Sequence, residues 1–176
     1  IEPSAIKIGM LANARNANAV ADVLSHYTTP INLDPVMVSS SGHRLLAPEA
    51  QVILKERLLP LATLFTPNIP EMEALTAMPL ASLAQKSEAA RHLMALGAEA
   101  ILLKGGHEEG ETKTDILYQR GAEGMRITYF SSPTIATRNI HGTGCSLSSA
   151  IAAYMARGAE LEEAVRRAKE YIYEAI

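Results

Sequence analysis

The residues best suited to chemistry are gathered in Ile140-His141-Gly142-Thr143-Gly144-Cys145-Ser146-Leu147-Ser148-Ser149. This loop with two glycines runs straight into Leu147, Ala150, Ile151 and Tyr154, apolar residues at the i, i+3, i+4, i+7 spacing of a helix buried on one face. It therefore stands at a helix N-terminus, where the first amides lack an intrahelical acceptor and the dipole end is positive, so main chain alone can hold an anion. Gly142 and Gly144 let the backbone approach a phosphate and adopt positive φ. Cys145, the only cysteine, lies in the same place, a setting that favours thiolate. The chemistry expected is phosphoryl transfer, with Cys145 deprotonating the attacking hydroxyl and the amides of Gly142, Thr143 and Gly144 gathering negative charge. A plainer reading competes, with Thr143 as an ordinary N-cap and Cys145 as a small buried apolar side chain.

Other residues could serve the same reaction, which needs positioning, charge neutralisation and a base more than covalent help from the protein. Lys104 follows four apolar residues and precedes Gly105-Gly106, so its ammonium could meet a phosphate; an exposed strand-end lysine is the alternative. Asn68 and Glu71 could hold a hydrated Mg²⁺, or could form a capping box at a helix start. Asp34 could support the same ion or simply form an Asp-Pro turn. His43, His107 and His141 border glycines in loops and could touch a ligand.

These residues need a frame, and the pattern supplies one. Strands are predicted at Ala5 to Met10, Ile31 to Val36, Thr63 to Thr66 and Ala100 to Lys104, with a hairpin from Thr114 to Gln119 and Met125 to Phe130. Helices are predicted from about Asn13 to Tyr27, Pro48 to Leu59, after Pro67, from Ser82 to Gly97, through the glycine loop to Arg157, and over Leu161 to Ile172. The last should bury Leu161, Ala164, Val165, Ala168, Tyr171 and Ile172 and pair Glu162 with Arg166 and Glu163 with Arg167. Alternating strands and helices imply a mostly parallel sheet covered on both faces, with ligands beyond the carboxyl ends of the strands. Met10, Asp34, Asn68, Glu71, Lys104 and the glycine loop should then share one rim.

Composition narrows the function classes. The 176 residues suit one domain, 48% hydrophobic and 20% charged, and show no repeat or linker. A net charge of -3 gives no footprint for nucleic acid or an anionic membrane. No apolar run is long enough to span a bilayer, and a single cysteine argues for a reducing compartment, so the expected address is cytoplasmic.

Asp34-Pro35-Val36-Met37-Val38, Ser41-Gly42-His43-Arg44-Leu45-Leu46, Thr66-Pro67-Asn68-Ile69-Pro70-Glu71, Leu103-Lys104-Gly105-Gly106-His107 and His141-Gly142-Thr143-Gly144-Cys145 together resemble the successive signatures of bacterial hydroxymethylpyrimidine/phosphomethylpyrimidine kinases. The resemblance implies a ribokinase-like three-layer αβα sandwich, and phosphorylation of 4-amino-5-hydroxymethyl-2-methylpyrimidine and then its monophosphate with ATP and Mg²⁺, in thiamine biosynthesis. It implies Cys145 as catalytic base, an anion hole at Gly142, Thr143 and Gly144, nucleotide contacts at Lys104 and Asp34, metal contacts at Asn68 and Glu71, and Met10 and Val36 lining the pyrimidine pocket. Dimers are common in that family. Ser39-Ser40, Ile140 and Ser146 depart from its usual residues. Members begin with a further strand and glycine-rich loop and continue past Ile176, so the expectation is a single kinase domain over 1–176, incomplete at the N-terminus and shortened at the C-terminus. Pyridoxal kinase-like activity and a nucleotide-binding fragment without catalysis are the alternatives.

Overall fold

The computed structural model describes residues 2–38, 42–106, 110–135, 137 and 142–176; His107, Ile140, His141 and Ser39 to Ser41 lie outside them. Strands β1 (Ile6–Ile8), β2 (Ile31–Leu33), β3 (Leu64–Phe65) and β4 (Ala100–Leu103) run parallel. Strands β5 (Thr112–Gly121) and β6 (Gly124–Pro133) extend the sheet as an antiparallel hairpin, in the spatial order β1-β2-β3-β4-β5-β6. The described helices are α1 (Ala14–Leu24), α2 (Pro48–Ile53), α3 (Ile69–Thr76), α4 (Leu83–Ala95), α5 (Thr143–Ala156) and α6 (Leu161–Ala175).

The order explains the layers. Parallel strands added one after another in a single direction, through right-handed crossovers, send every connecting helix to the same face. Helices α1 to α4 accordingly share one core, in which Ile8, Leu33, Phe65, Ile101 and Leu103 of the sheet meet Ala21, Leu54, Met72 and Leu93. Helices α5 and α6 come after the hairpin and cover the opposite face, burying Leu147, Ile151, Ala164, Val165 and Ala168 against Leu64, Ala100, Leu102 and Leu117. The expected three-layer arrangement is present.

Local sequence sets the helix starts. The Asn13 side chain caps α1 by accepting from the amide of Asn16 at 3.0 Å. Ser82 and Gln85 form a reciprocal capping box on α4. Pro48 opens α2, which widens into a π turn at Leu54–Leu58 and then tightens into a 3-10 turn at Leu59–Leu61. Strand β2 is shorter than expected, ending at Leu33, because Pro35 has no N–H for a ladder. The hairpin is longer than expected, with pairing from Thr112↔Pro133 to Gly121↔Gly124. In α6, Tyr171 is 55% exposed rather than buried. The Glu163–Arg167 pair forms, whereas Glu162 lies 3.1 Å from Arg126 of β6, and Arg166 bonds Glu163 and Glu170. Tertiary proximity to the hairpin outweighed helical spacing there.

Candidate active site at the carboxyl rim of the sheet

Side chains alternate across a sheet, so residues two apart along a strand share a face. On the face covered by α5, the body of the sheet presents Leu64 and Leu102, and its carboxyl end presents Asn32, Asp34, Thr66 and Lys104. Asn32 lies within β2, and the other three lie just past strand ends that remain in register: the Asp34 amide donates to Ile8, Thr66 to Leu33 and Lys104 to Pro67, each at 2.9 Å. An apolar anchor and a polar rim thus sit under one helix.

The glycine loop meets this rim. Gly142 is the N-cap of α5 at φ 81, a left-handed conformation that glycine adopts without penalty, and Thr143 begins the helix. Among the described residues Ser146 N–H is the first amide in α5 with a helical acceptor, Gly142 O at 2.9 Å; the amides of Gly144 and Cys145 precede it, in the electropositive turn. Cys145 is exposed, which removes the alternative of a buried apolar thiol. It opens onto a surface groove of about 590 Å³ that Ser149, Tyr154, Arg157 and Tyr171 also line.

Beneath the first turn of α5 lies a buried ion pair. Lys104 Nζ donates to Asp34 Oδ1 at 2.9 Å, with the two side chains only 13% and 2% exposed. A Cβ placed on Gly144 would stand 3.5 Å from that ammonium, so Lys104 sits in contact with the start of α5. The cation expected from sequence is therefore next to the amides expected from sequence, and Asp34 compensates it. Ser148 Oγ donates to the other carboxylate oxygen, Asp34 Oδ2, at 3.1 Å.

Asn68 and Glu71 form the capping box of α3, each side chain accepting from the other's amide at 2.8 Å. The second Glu71 oxygen accepts from the Met37 amide at 3.1 Å. That bond ties α3 to the turn after β2, where Val36 is held at φ 40, a strained value for a β-branched residue. Val36 is half-buried beside this turn, and Met10 stands 60% exposed beyond β1. Among the described residues no group of three His, Cys, Asp or Glu side chains could hold a metal unaided. Magnesium commonly relies on one or two carboxylates, retained waters and substrate phosphates.

Two participants, Ser148 and Asn32, were not singled out from the sequence, and a third, Asp115, falls where the family resemblance loosely places the nucleotide region. Asp115, 6% exposed, accepts from the Gly105 amide at 2.8 Å and from Lys169 Nζ at 2.6 Å, pinning the glycine pair after Lys104 to α6. Ser148 and Asn32 join α5 to β2. Their spacing offered one signal: Ser148 follows Gly144 by four residues and Asn32 precedes Asp34 by two, so each shares a face with a candidate.

The phosphomethylpyrimidine kinase family model matches residues 1–176. The chain belongs to that family. It is 42% identical over 177 residues to the hydroxymethylpyrimidine/phosphomethylpyrimidine kinase of Rhizobium meliloti, a match covering 100% of this chain and 65% of the relative. The phosphomethylpyrimidine kinase structure from Clostridium difficile superimposes with a TM-score of 0.82 at 37% identity, covering 99% of this chain and 70% of that one. An ADP complex of Bacillus subtilis pyridoxal kinase also gives a TM-score of 0.82, at 34% identity, covering 95% and 61%. The chain spans less than two thirds of the length of the curated relatives it matches.

Proposed function

We infer that this phosphomethylpyrimidine kinase family member transfers the γ-phosphoryl group of ATP to 4-amino-5-hydroxymethyl-2-methylpyrimidine, and then to the monophosphate, in a cytoplasmic route to thiamine. The observation that carries the reading is the exposed thiol of Cys145 in the first turn of α5, with the Lys104 ammonium against Gly144 of the same turn. The proposed base, amides and cation thus belong to one helix start and the strand end beneath it.

In the first transfer, the Cys145 thiolate takes the proton of the hydroxymethyl group as its oxygen bonds to the γ-phosphorus, and the bond from that phosphorus to the bridging oxygen breaks to release ADP. The amides of Gly142, Thr143 and Gly144 face the transferring oxygens, and preorganised donors of this kind favour the transition state over the ground state. Lys104 serves the phosphates while Asp34 fixes its place. Mg²⁺ carried with ATP supplies charge neutralisation. Asn68 and Glu71 would hold it through its waters, because the Met37 and Asn68 amides each use only one lone pair of a Glu71 carboxylate oxygen. Met10 and Val36 bound the pyrimidine.

A pyridoxal-directed activity is the second reading, favoured by the fold match to pyridoxal kinase. ATP consumption measured side by side decides between them: turnover with the pyrimidine supports the first, and turnover with pyridoxal alone overturns it. Calorimetric ATP binding with no turnover on either substrate identifies a nucleotide-binding fragment.

A further inference from the structure

Ser148 is 1% exposed and sits on the sheet side of α5, one turn beyond Gly144. Its hydroxyl lies 3.1 Å from Asp34 Oδ2 and 3.0 Å from the Cys145 carbonyl, with a single proton to donate. Asn32 Nδ2 donates to the Ser148 carbonyl at 2.7 Å, adding a second link between β2 and the same residue. The bond back to Cys145 alone would be routine, since buried helical serines often bond the preceding turn. What differs here is the second acceptor, a buried carboxylate whose other oxygen holds Lys104.

The geometry points to Ser148 as a positioning residue that sets the first turn of α5 over the Lys104–Asp34 pair. It touches no substrate; it acts through Asp34 on one side and the Cys145 backbone on the other. A phosphate that draws Lys104 away leaves Asp34 short of one donor, and the shared proton can then rest wholly on Asp34 while Asn32 keeps α5 in place. This inference rests on the kinase reading, because the turn it positions is the one that carries the base and the anion hole.

The test compares the unaltered chain with Ser148→Ala and Ser148→Thr. Hydrogen bonds to charged groups are worth enough to change a rate by about ten- to a hundred-fold. Ser148→Ala should therefore lower kcat on the pyrimidine by at least about ten-fold while KM for ATP moves by less than about three-fold, and Ser148→Thr, which keeps the hydroxyl, should recover most of the loss. An unchanged kcat, or a matched loss of kcat and thermal stability that threonine does not rescue, overturns the assignment. A readout independent of turnover is alkylation of Cys145 by iodoacetamide at neutral pH. Ser148→Ala should change its rate by about three-fold or more, because the turn that presents the exposed thiol loses its fixed place; an unchanged rate overturns the proposal. If the unaltered chain transfers no phosphate, the kinase reading fails and the alkylation rates still decide the role of Ser148.

Discussion

Cys145 and Val36 make the sharpest demands at the scale of single residues. On the proposed reading, a base that acts as the hydroxyl attacks the γ-phosphorus contributes mainly to the transition state, so Cys145→Ala should reduce kcat by orders of magnitude and leave calorimetric ATP affinity nearly intact. Near-normal turnover in that variant would remove the base assignment. Val36 is held at φ 40 by a turn whose next amide is bonded to Glu71. Strain of this kind costs about 1 to 3 kcal/mol. Val36→Gly relieves it at an entropic cost of about 0.5 to 1 kcal/mol. The variant should unfold in urea at the same or slightly higher concentration and, on the proposed reading that Val36 bounds the acceptor, show a raised KM for that acceptor. A clear drop in stability would show that the valine side chain matters more than its backbone.

At the scale of elements, the link from α4 to β4 turns at Gly97, with φ 124 and Pro60 Cα only 2.7 Å from where a Cβ would stand. Neither backbone can yield cheaply, so Gly97→Ala should cost about 2 kcal/mol or more in urea unfolding; an unchanged midpoint would mean that the turn relaxes. On α6, hydrogen bonds from Arg166 and then Arg167 hold the Glu163 carboxyl down at about 2, against an ordinary 4.5. A carboxylate depressed in the folded state contributes stability above its unfolded value, and that contribution is lost as pH falls through the folded one. The stability difference between the unaltered chain and Glu163→Gln should therefore be full above pH 4.5 and shrink between there and about pH 2. Salt should shrink it as well, because these groups are exposed. A difference independent of pH would mean that the pairs contribute nothing.

The whole molecule is two cores on one sheet. Phe65 of β3 is fully buried toward α1 to α4, and Ile151 of α5 is fully buried on the other face. Truncating either to alanine should cost about 2 to 5 kcal/mol. Because both layers grip the same short strands, each variant should still unfold in one transition, with fluorescence and circular dichroism midpoints shifting together. Separate transitions for the two layers would show that the sheet does not couple them. The same architecture sets the site, since α5 can lay its electropositive end on the carboxyl rim only by crossing the face that α1 to α4 leave open.

Much of this was legible in the order of residues alone, because the governing physics is local. Helix starts followed from Asn13, Pro48, Asn68 and Ser82, whose side chains or ring suit the first turn whatever surrounds them. Strand periodicity put Asp34, Lys104 and the glycine loop on one rim, and five ordered motifs named the family that the comparisons show. Tertiary structure decided what depends on residues far apart in the chain. It chose Asp34, 70 residues away, as the partner of Lys104, and Ser148, 114 residues away, as the second donor to that carboxylate. It turned Tyr171 outward and gave Glu162 to Arg126, since helical spacing lists neighbours along one element and cannot see the hairpin beside it. Burial of charge is a property of packing, and only the packed sheet and α5 together made a strand-end lysine and a turn aspartate into a shielded pair beneath the first amides of a helix.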